Sequence, residues 1–176
     1  MCLQDREGRR WLVVGKKIIL IDLSRCIGCR ACEVACEKFN GASKITVFEL
    51  EDVLTMPLNC RHCEKAPCIS ICPTDALYTD EDGAVLLSPL KCIGCMMCAI
   101  VCPFGIPEFD ELNKVMMKCD LCRDRRAMGL LPACVATCPT DALVYGDVNE
   151  VLPRKREYVA QKAIILSKEV GDVLLK

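Results

Sequence analysis

Aromatic side chains make up only 5% of this 176-residue chain, with one tryptophan, three tyrosines and four phenylalanines, so something other than aromatic packing must fill much of its interior. Histidine occurs once, at His62, and no nucleophile constellation surrounds it, which removes the usual acid–base machinery of an enzyme. Neither G-x-G-x-x-G nor G-x-x-x-x-G-K-[ST] occurs, so no dinucleotide, flavin or nucleotide site is visible. No run of eighteen apolar residues is present, and no transmembrane span is expected. The opening MCLQDREGRRWLVVGKKIILI carries Arg9-Arg10. Gly15-Lys16-Lys17 interrupts its apolar residues and no small-residue cleavage site follows, so it reads as mature sequence rather than a signal peptide. Basic and acidic residues balance at 23 and 24, leaving no cationic excess for nucleic acid. Scattered carboxylates such as Glu49, Glu51 and Asp52 read as solvated surface.

Cysteine, in contrast, is abundant. Sixteen of seventeen fall into four groups of four, each closing with an x3 gap. Group one is Cys26, Cys29, Cys32 and Cys36; group three is Cys92, Cys95, Cys98 and Cys102, and both have the C-x2-C-x2-C-x3-C ligand run of bacterial ferredoxins. Group two, Cys60, Cys63, Cys68 and Cys72, has a longer middle gap, and group four, Cys119, Cys122, Cys134 and Cys138, a longer one still. Proline follows Cys72, Cys102 and Cys138, where its fixed φ turns the chain away; Glu37 follows Cys36. Soft thiolates at i, i+3 and i+6 cup three corners of an iron–sulfur cubane. The count predicts four [4Fe–4S] clusters at four thiolates each. A disulfide framework needs a secreted context, structural zinc is built from paired C-x2-C knuckles, and c-type haem needs C-x-x-C-H; none fits groups one to three, and only a mixed site at group four, with its x11 gap, stays open beside the cubane reading. His62 reads as a side chain near a cluster or at the surface rather than a ligand, and Cys2 as a free thiol.

In such runs the fourth cysteine lies about one helical turn past the third and ligates the neighbouring cluster, so each run predicts a partner. Between Cys72 and Cys92, two short apolar segments flank Asp82-Gly83, which reads as a hairpin joining groups two and three. Group one follows the strand-like KKIILIDL and group four precedes PTDALVYGDV; these matching flanks predict that groups one and four form the second unit. On this reading Cys138 completes the cluster of Cys26, Cys29 and Cys32, and Cys36 that of Cys119, Cys122 and Cys134. Likewise Cys102 completes the cluster of Cys60, Cys63 and Cys68, and Cys72 that of Cys92, Cys95 and Cys98. The expected fold is α+β: two ferredoxin-like dicluster units, one inserted in the other, with short hairpins and helices around four cubanes. Residues 1–58 and 105–150 form the outer unit, 59–104 the inserted one, and 151–176 a helical tail with an amphipathic pattern from Pro153 onward.

Sixteen thiolates and four oxidised cubane cores change the formal charge of −1 to roughly −9. Arg25, Lys91 and Lys118 each precede the first cysteine of a group, where a cation either offsets that charge or sits solvated at the surface. Reduced cluster thiols suit a cytoplasmic location. Without acid–base chemistry, one-electron transfer remains, and four clusters in one small chain make sense as a relay.

Residues 16–148 resemble the four-cluster electron-transfer subunits of multi-subunit oxidoreductases. The resemblance rests on NCRHCEKAPCISICPTDAL, KCIGCMMCAIVCPFGIPEF and CDLCRDRRAMGLLPACVATCPTDAL. It implies a non-catalytic iron–sulfur subunit beside a large catalytic partner, most often a molybdenum- or tungsten-pterin enzyme, with a further acceptor subunit or ferredoxin. Hydrogenase and carbon monoxide dehydrogenase partners belong to the same resemblance, and a freely diffusing polyferredoxin is the alternative. The short spacing of 23 residues between Cys36 and Cys60, the short tail and the missing C-terminal membrane helix depart from the pattern of membrane-anchored relatives, so the expectation is a compact soluble subunit resembling that of tungsten-dependent aldehyde-type oxidoreductases, formate dehydrogenases or hydrogenases.

Overall fold

The structure, a computed structural model, describes residues 3–4, 10–11, 16–50 and 54–174. Cys2, the Leu12–Val14 stretch, Glu51 and Asp52 lie outside the described residues. Ten short strands form five two-stranded antiparallel sheets among the described residues. β1 (Leu3–Gln4) pairs with β2 (Arg10–Trp11), β3 (Lys17–Ile21) with β10 (Leu143–Asp147), and β4 (Ile45–Leu50) with β5 (Leu54–Asn59). β6 (Leu77–Thr79) pairs with β7 (Val85–Leu87), and β8 (Glu108–Asp110) with β9 (Val115–Met117). The helices are α1 (Ala31–Asn40), α2 (Pro67–Ser70), α3 (Met97–Val101), α4 (Arg123–Ala127), α5 (Ala133–Ala136) and α6 (Val148–Leu174).

Two sets of elements repeat one local pattern. β6 and β7 form the hairpin expected between groups two and three, and α2 packs against α3. β10 and β3, far apart in sequence, form the equivalent pair beside groups four and one, and α1 packs against α5. The match extends to single bonds. Ser88 N donates to Ala76 O at 2.8 Å, and Asp22 N donates to Ala142 O at 2.7 Å, each just before a single 3-10 turn that delivers the next cysteine run.

The β4–β5 and β8–β9 hairpins cover the loops of groups one and three, and glycine makes room for them. Gly28 and Gly94 adopt φ values of 68° and 67°. A Cβ at Gly28 would stand 2.8 Å from Thr55 Cγ2, and one at Gly94 2.6 Å from the Lys114 carbonyl oxygen. Glu33 on α1 reinforces the first hairpin by accepting from Val47 N at 2.6 Å.

α6 begins earlier than Pro153, so the expected tail boundary between 150 and 151 falls inside a helix. Asp147 accounts for the shift: its carboxylate accepts from Asn149 N at 2.6 Å, capping the first turn before the proline is reached. Among the described residues no helix is long and apolar enough to cross a membrane.

A partly buried ion pair joins the two repeated sets. Arg126 of α4, its side chain only 5% exposed, pairs with Asp80 at 2.8 Å and with Asp82, both in the β6–β7 turn, and donates to Leu121 O at 3.0 Å. Burial raises the Asp80 carboxyl, but hydrogen bonding to Arg126 outweighs it and holds the group below its ordinary value. A depressed carboxylate stabilises the fold above its unfolded pKa and loses that contribution as pH falls through the folded one. Arg126→Ala is expected to destabilise the protein by about 3 kcal/mol, because it strands a partly buried carboxylate. A thermal melt should show the loss shrinking as Asp80 protonates in acid; an equal loss at every pH would refute the ion-pair account.

Candidate iron–sulfur centres

The sixteen described cysteines are all free of disulfides. Their side chains gather in four places. Cys26, Cys29, Cys32 and Cys138 line one cavity, together with Gly28 and Pro139. Cys60, Cys63, Cys68 and Cys102 line a second, with Lys118 in its wall. Cys72, Cys92, Cys95 and Cys98 line a third, closed by Met116 and Leu77. The remaining four are the most enclosed: Cys134 lies within electrostatic reach of Cys119, Cys122 and Cys36, and Cys122 packs with Ala35 and Ala133.

The backbone is shaped around the sulfurs. In groups one and three, Arg30 and Met96 take left-handed φ values of 56° and 61° immediately before the helices that carry Cys32 and Cys98. In groups two and four, His62 and Leu121 stand just before the second cysteine, where groups one and three have Gly28 and Gly94, and take left-handed φ values of 45° and 58°. That turn aims the amide of each back at the first cysteine: His62 N donates to Cys60 Sγ and Leu121 N to Cys119 Sγ, both at 3.4 Å. Lys44 N donates to Cys36 Sγ at 3.2 Å, Ala76 N to Cys72 Sγ at 3.3 Å and Met116 N to Cys92 Sγ at 3.3 Å. Such N–H···S bonds favour thiolate over thiol and raise the reduction potential of a cluster.

Burial opposes ionisation at several of these sulfurs, pushing Cys32 up to about 11 and Cys119 up to about 12. At Cys72 and Cys138 burial also raises the thiol pKa, but backbone donors outweigh it and bring the thiol below its ordinary value. Buried thiolates persist only with a cationic partner, which an iron–sulfur core supplies. The thiols ring a space instead of converging. Among the described residues no three His, Cys, Asp or Glu side chains close on one ion position, as a single zinc with Zn–S near 2.3 Å would require. The donor set therefore fits [4Fe–4S] clusters.

The three cations preceding the groups separate in the structure. Lys91 is exposed, Arg25 pairs with Asp141 at 3.6 Å and stacks over Tyr158, and Lys118 is buried. His62 is buried as well, only 1% exposed. Its Nδ1 accepts from Val85 N at 3.0 Å, which puts the ring proton on Nε2, an atom with no hydrogen-bond partner among the described residues. Burial first, then the charges of Lys118 and Lys16, pull the imidazole down to about 3, so it is neutral at physiological pH. The solvated reading of Glu49 holds: it is exposed and pairs with Arg30 at 3.2 Å.

Cysteine-lined cavities and amides aimed at sulfur define an iron–sulfur protein of the ferredoxin type. Residues 51–148 match the family described as 4Fe-4S dicluster domain, and residues 17–37 match the 4Fe-4S binding domain. The chain belongs to this dicluster family of iron–sulfur electron-transfer subunits, carriers of electrons with no catalytic site of their own. It is 40% identical to the thiosulfate reductase electron transfer subunit PhsB of Salmonella typhi, over 86% of this chain and 85% of that one. It is 36% identical to the B subunit of polysulfide reductase from Wolinella succinogenes, over 84% and 85% respectively. The B subunit of anaerobic dimethyl sulfoxide reductase from Escherichia coli K12 is 35% identical, over 80% of this chain and 78% of that one.

Proposed function

We propose that the chain is a four-cluster relay that passes single electrons between the active site of a large partner subunit and a donor or acceptor. The observation that carries this reading is the grouping of the thiols, because each of three cavities is lined by three cysteines of one run and the last cysteine of another. The assignment that follows is Cys26, Cys29, Cys32 and Cys138; Cys119, Cys122, Cys134 and Cys36; Cys60, Cys63, Cys68 and Cys102; and Cys92, Cys95, Cys98 and Cys72. The pairing of β10 with β3 supports an outer unit (1–58 and 105–150) interrupted by an inner one (59–104).

Neighbouring sulfurs support a linear order. Cys134 is within electrostatic reach of Cys32, Cys119 of Cys60, and Cys98 of Cys68, which runs the path from group one through four and two to three. At the two ends of that path Cys29 and Cys95 are exposed. Exposed apolar side chains ring both, Ile27 and Val34 at one end, Ile93, Met96 and Ile100 at the other. Electrons enter at one end and leave at the other.

Exposed apolar residues on α6, including Leu152 and Val159, favour a dedicated subunit over a freely diffusing polyferredoxin. The partner class is a molybdenum- or tungsten-pterin oxidoreductase in the cytoplasm. The relatives named for thiosulfate, polysulfide and dimethyl sulfoxide point to a sulfur compound as its substrate. The test is anaerobic purification from the native cells, with metals quantified. About sixteen irons per chain, with a large subunit bearing molybdenum or tungsten, is the expected result. The same iron in an isolated monomer would instead identify a polyferredoxin, nickel in the partner a hydrogenase or carbon monoxide dehydrogenase, and zinc in place of iron would overturn the reading.

A further inference from the structure

The two repeated sets differ in charge at one buried, equivalent position. Asn59 precedes Cys60 and Lys118 precedes Cys119, and both side chains are buried, at 1% and 5% exposure. Each donates to the carbonyl of the cysteine that follows, Asn59 Nδ2 to Cys60 O at 3.3 Å and Lys118 Nζ to Cys119 O at 2.7 Å. Here the symmetry ends. The lysine is long enough to cross from the group-four loop to β7, where it also donates to Val85 O, and it forms part of the wall of the cavity lined by Cys60, Cys63, Cys68 and Cys102. The amide of the same Val85 donates to His62 Nδ1, so the backbone anchor of Lys118 is itself fixed from the group-two loop.

No carboxylate pairs with Lys118 among the described residues; its hydrogen-bond partners are two carbonyl oxygens. A buried ammonium without a counter-ion is costly. A cluster bound by four thiolates carries net negative charge and becomes more negative on reduction, so it supplies the missing counter-charge. The attraction is strongest in the reduced state, inside an interior where charges are weakly screened. Asn59, the neutral counterpart, carries no such charge.

We propose that Lys118 is the charge-setting residue at the junction of the two central clusters, raising the potential of the cluster held by Cys60, Cys63, Cys68 and Cys102 above that of its group-four neighbour. The effect makes the middle of the relay uneven: an electron arriving there comes to rest on the group-two side. This rests on the cluster assignment above, which comparing the signals lost in Cys36→Ala, Cys122→Ala and Cys29→Ala tests separately.

The experiment is an EPR-monitored redox titration of the intact iron-loaded protein carrying Lys118→Met, Lys118→Arg or, as a control, Lys91→Met at the exposed equivalent in group three. Cys68→Ser identifies which signal belongs to the group-two cluster. Lys118→Met is expected to lower the reduction equilibrium constant of that cluster at least tenfold, or 59 mV for one electron. The group-four cluster should move less, and the clusters containing Cys29 and Cys95 by less than twofold. Lys118→Arg, which keeps the charge, and Lys91→Met should both retain the original potentials. A group-two shift below twofold in Lys118→Met, or an equal shift of all four clusters, would overturn the proposal. If Lys118→Met fails to hold iron, Lys118→Arg decides: full iron with unchanged potentials sustains the role of the charge, and loss of iron there too defeats it.

Discussion

Cys36→Ala should damage a cluster whose other ligands lie more than eighty residues away, and leave the cluster of its own run intact. Cys32 and Cys36 are one helical turn apart on α1, so their sulfurs leave the helix at different heights. Cys32 stays with the group-one loop, whereas Cys36 is carried to where α5 packs against α1 with Cys134. The Cys36 sulfur is 5% exposed at the residue level and held by Lys44 N at 3.2 Å and Asn40 Nδ2 at 3.5 Å. A cubane left with three thiolates is expected to lose one iron or the whole cluster, a drop of about one to four irons per chain. The signal that disappears should be the one lost in Cys122→Ala. Should it coincide with the signal lost in Cys29→Ala, each run would hold its own cluster and the crossed assignment would fail.

The two strand pairings on which the proposed crossed assignment leans were legible in the sequence, because they show in spacing and in flanks. The β6–β7 hairpin announces itself by Asp82-Gly83 between two apolar segments, and the pairing of β3 with β10 by the resemblance of their flanks to that hairpin. The two covering hairpins were not legible. β5 contains Pro57, which argues against a strand yet sits opposite Val47 in a two-stranded ribbon with free edges on both sides. β8 and β9 have three residues each, too few to show alternation. The burial of His62 and Lys118 was equally hidden. Both are polar residues in short loops, and only the approach of β7 from elsewhere in the chain, through Val85, encloses them.

Removing the iron is expected to abolish cooperative folding, since little else in the chain stands alone. No sheet among the described residues exceeds two strands, and an isolated two-stranded ribbon is marginal in water. Helices α2 to α5 have four or five residues each, well below the length at which a helix persists unaided. The main core is itself assembled around ligands: Cys32, Cys36 and Cys134 sit among Ile19, Ile45, Leu121 and Leu143. Around the second core Cys63, Cys68, Cys72 and Cys92 pack against Leu77, Val85 and Met116. Once the clusters are lost, these sulfurs become neutral thiols around space that apolar side chains do not fill, while the chain must still be ordered at about 1–2 kcal/mol per residue. Structural metal sites contribute on the order of 10 kcal/mol each, more than the net stability of most domains. Anaerobic chelation followed by far-UV circular dichroism and a melt should show the loss of most secondary structure and of the unfolding transition, and anaerobic reconstitution with iron and sulfide should restore both. An iron-free chain that still melted cooperatively near the original temperature would show that the strands and helices hold the fold by themselves and that the clusters are guests in it.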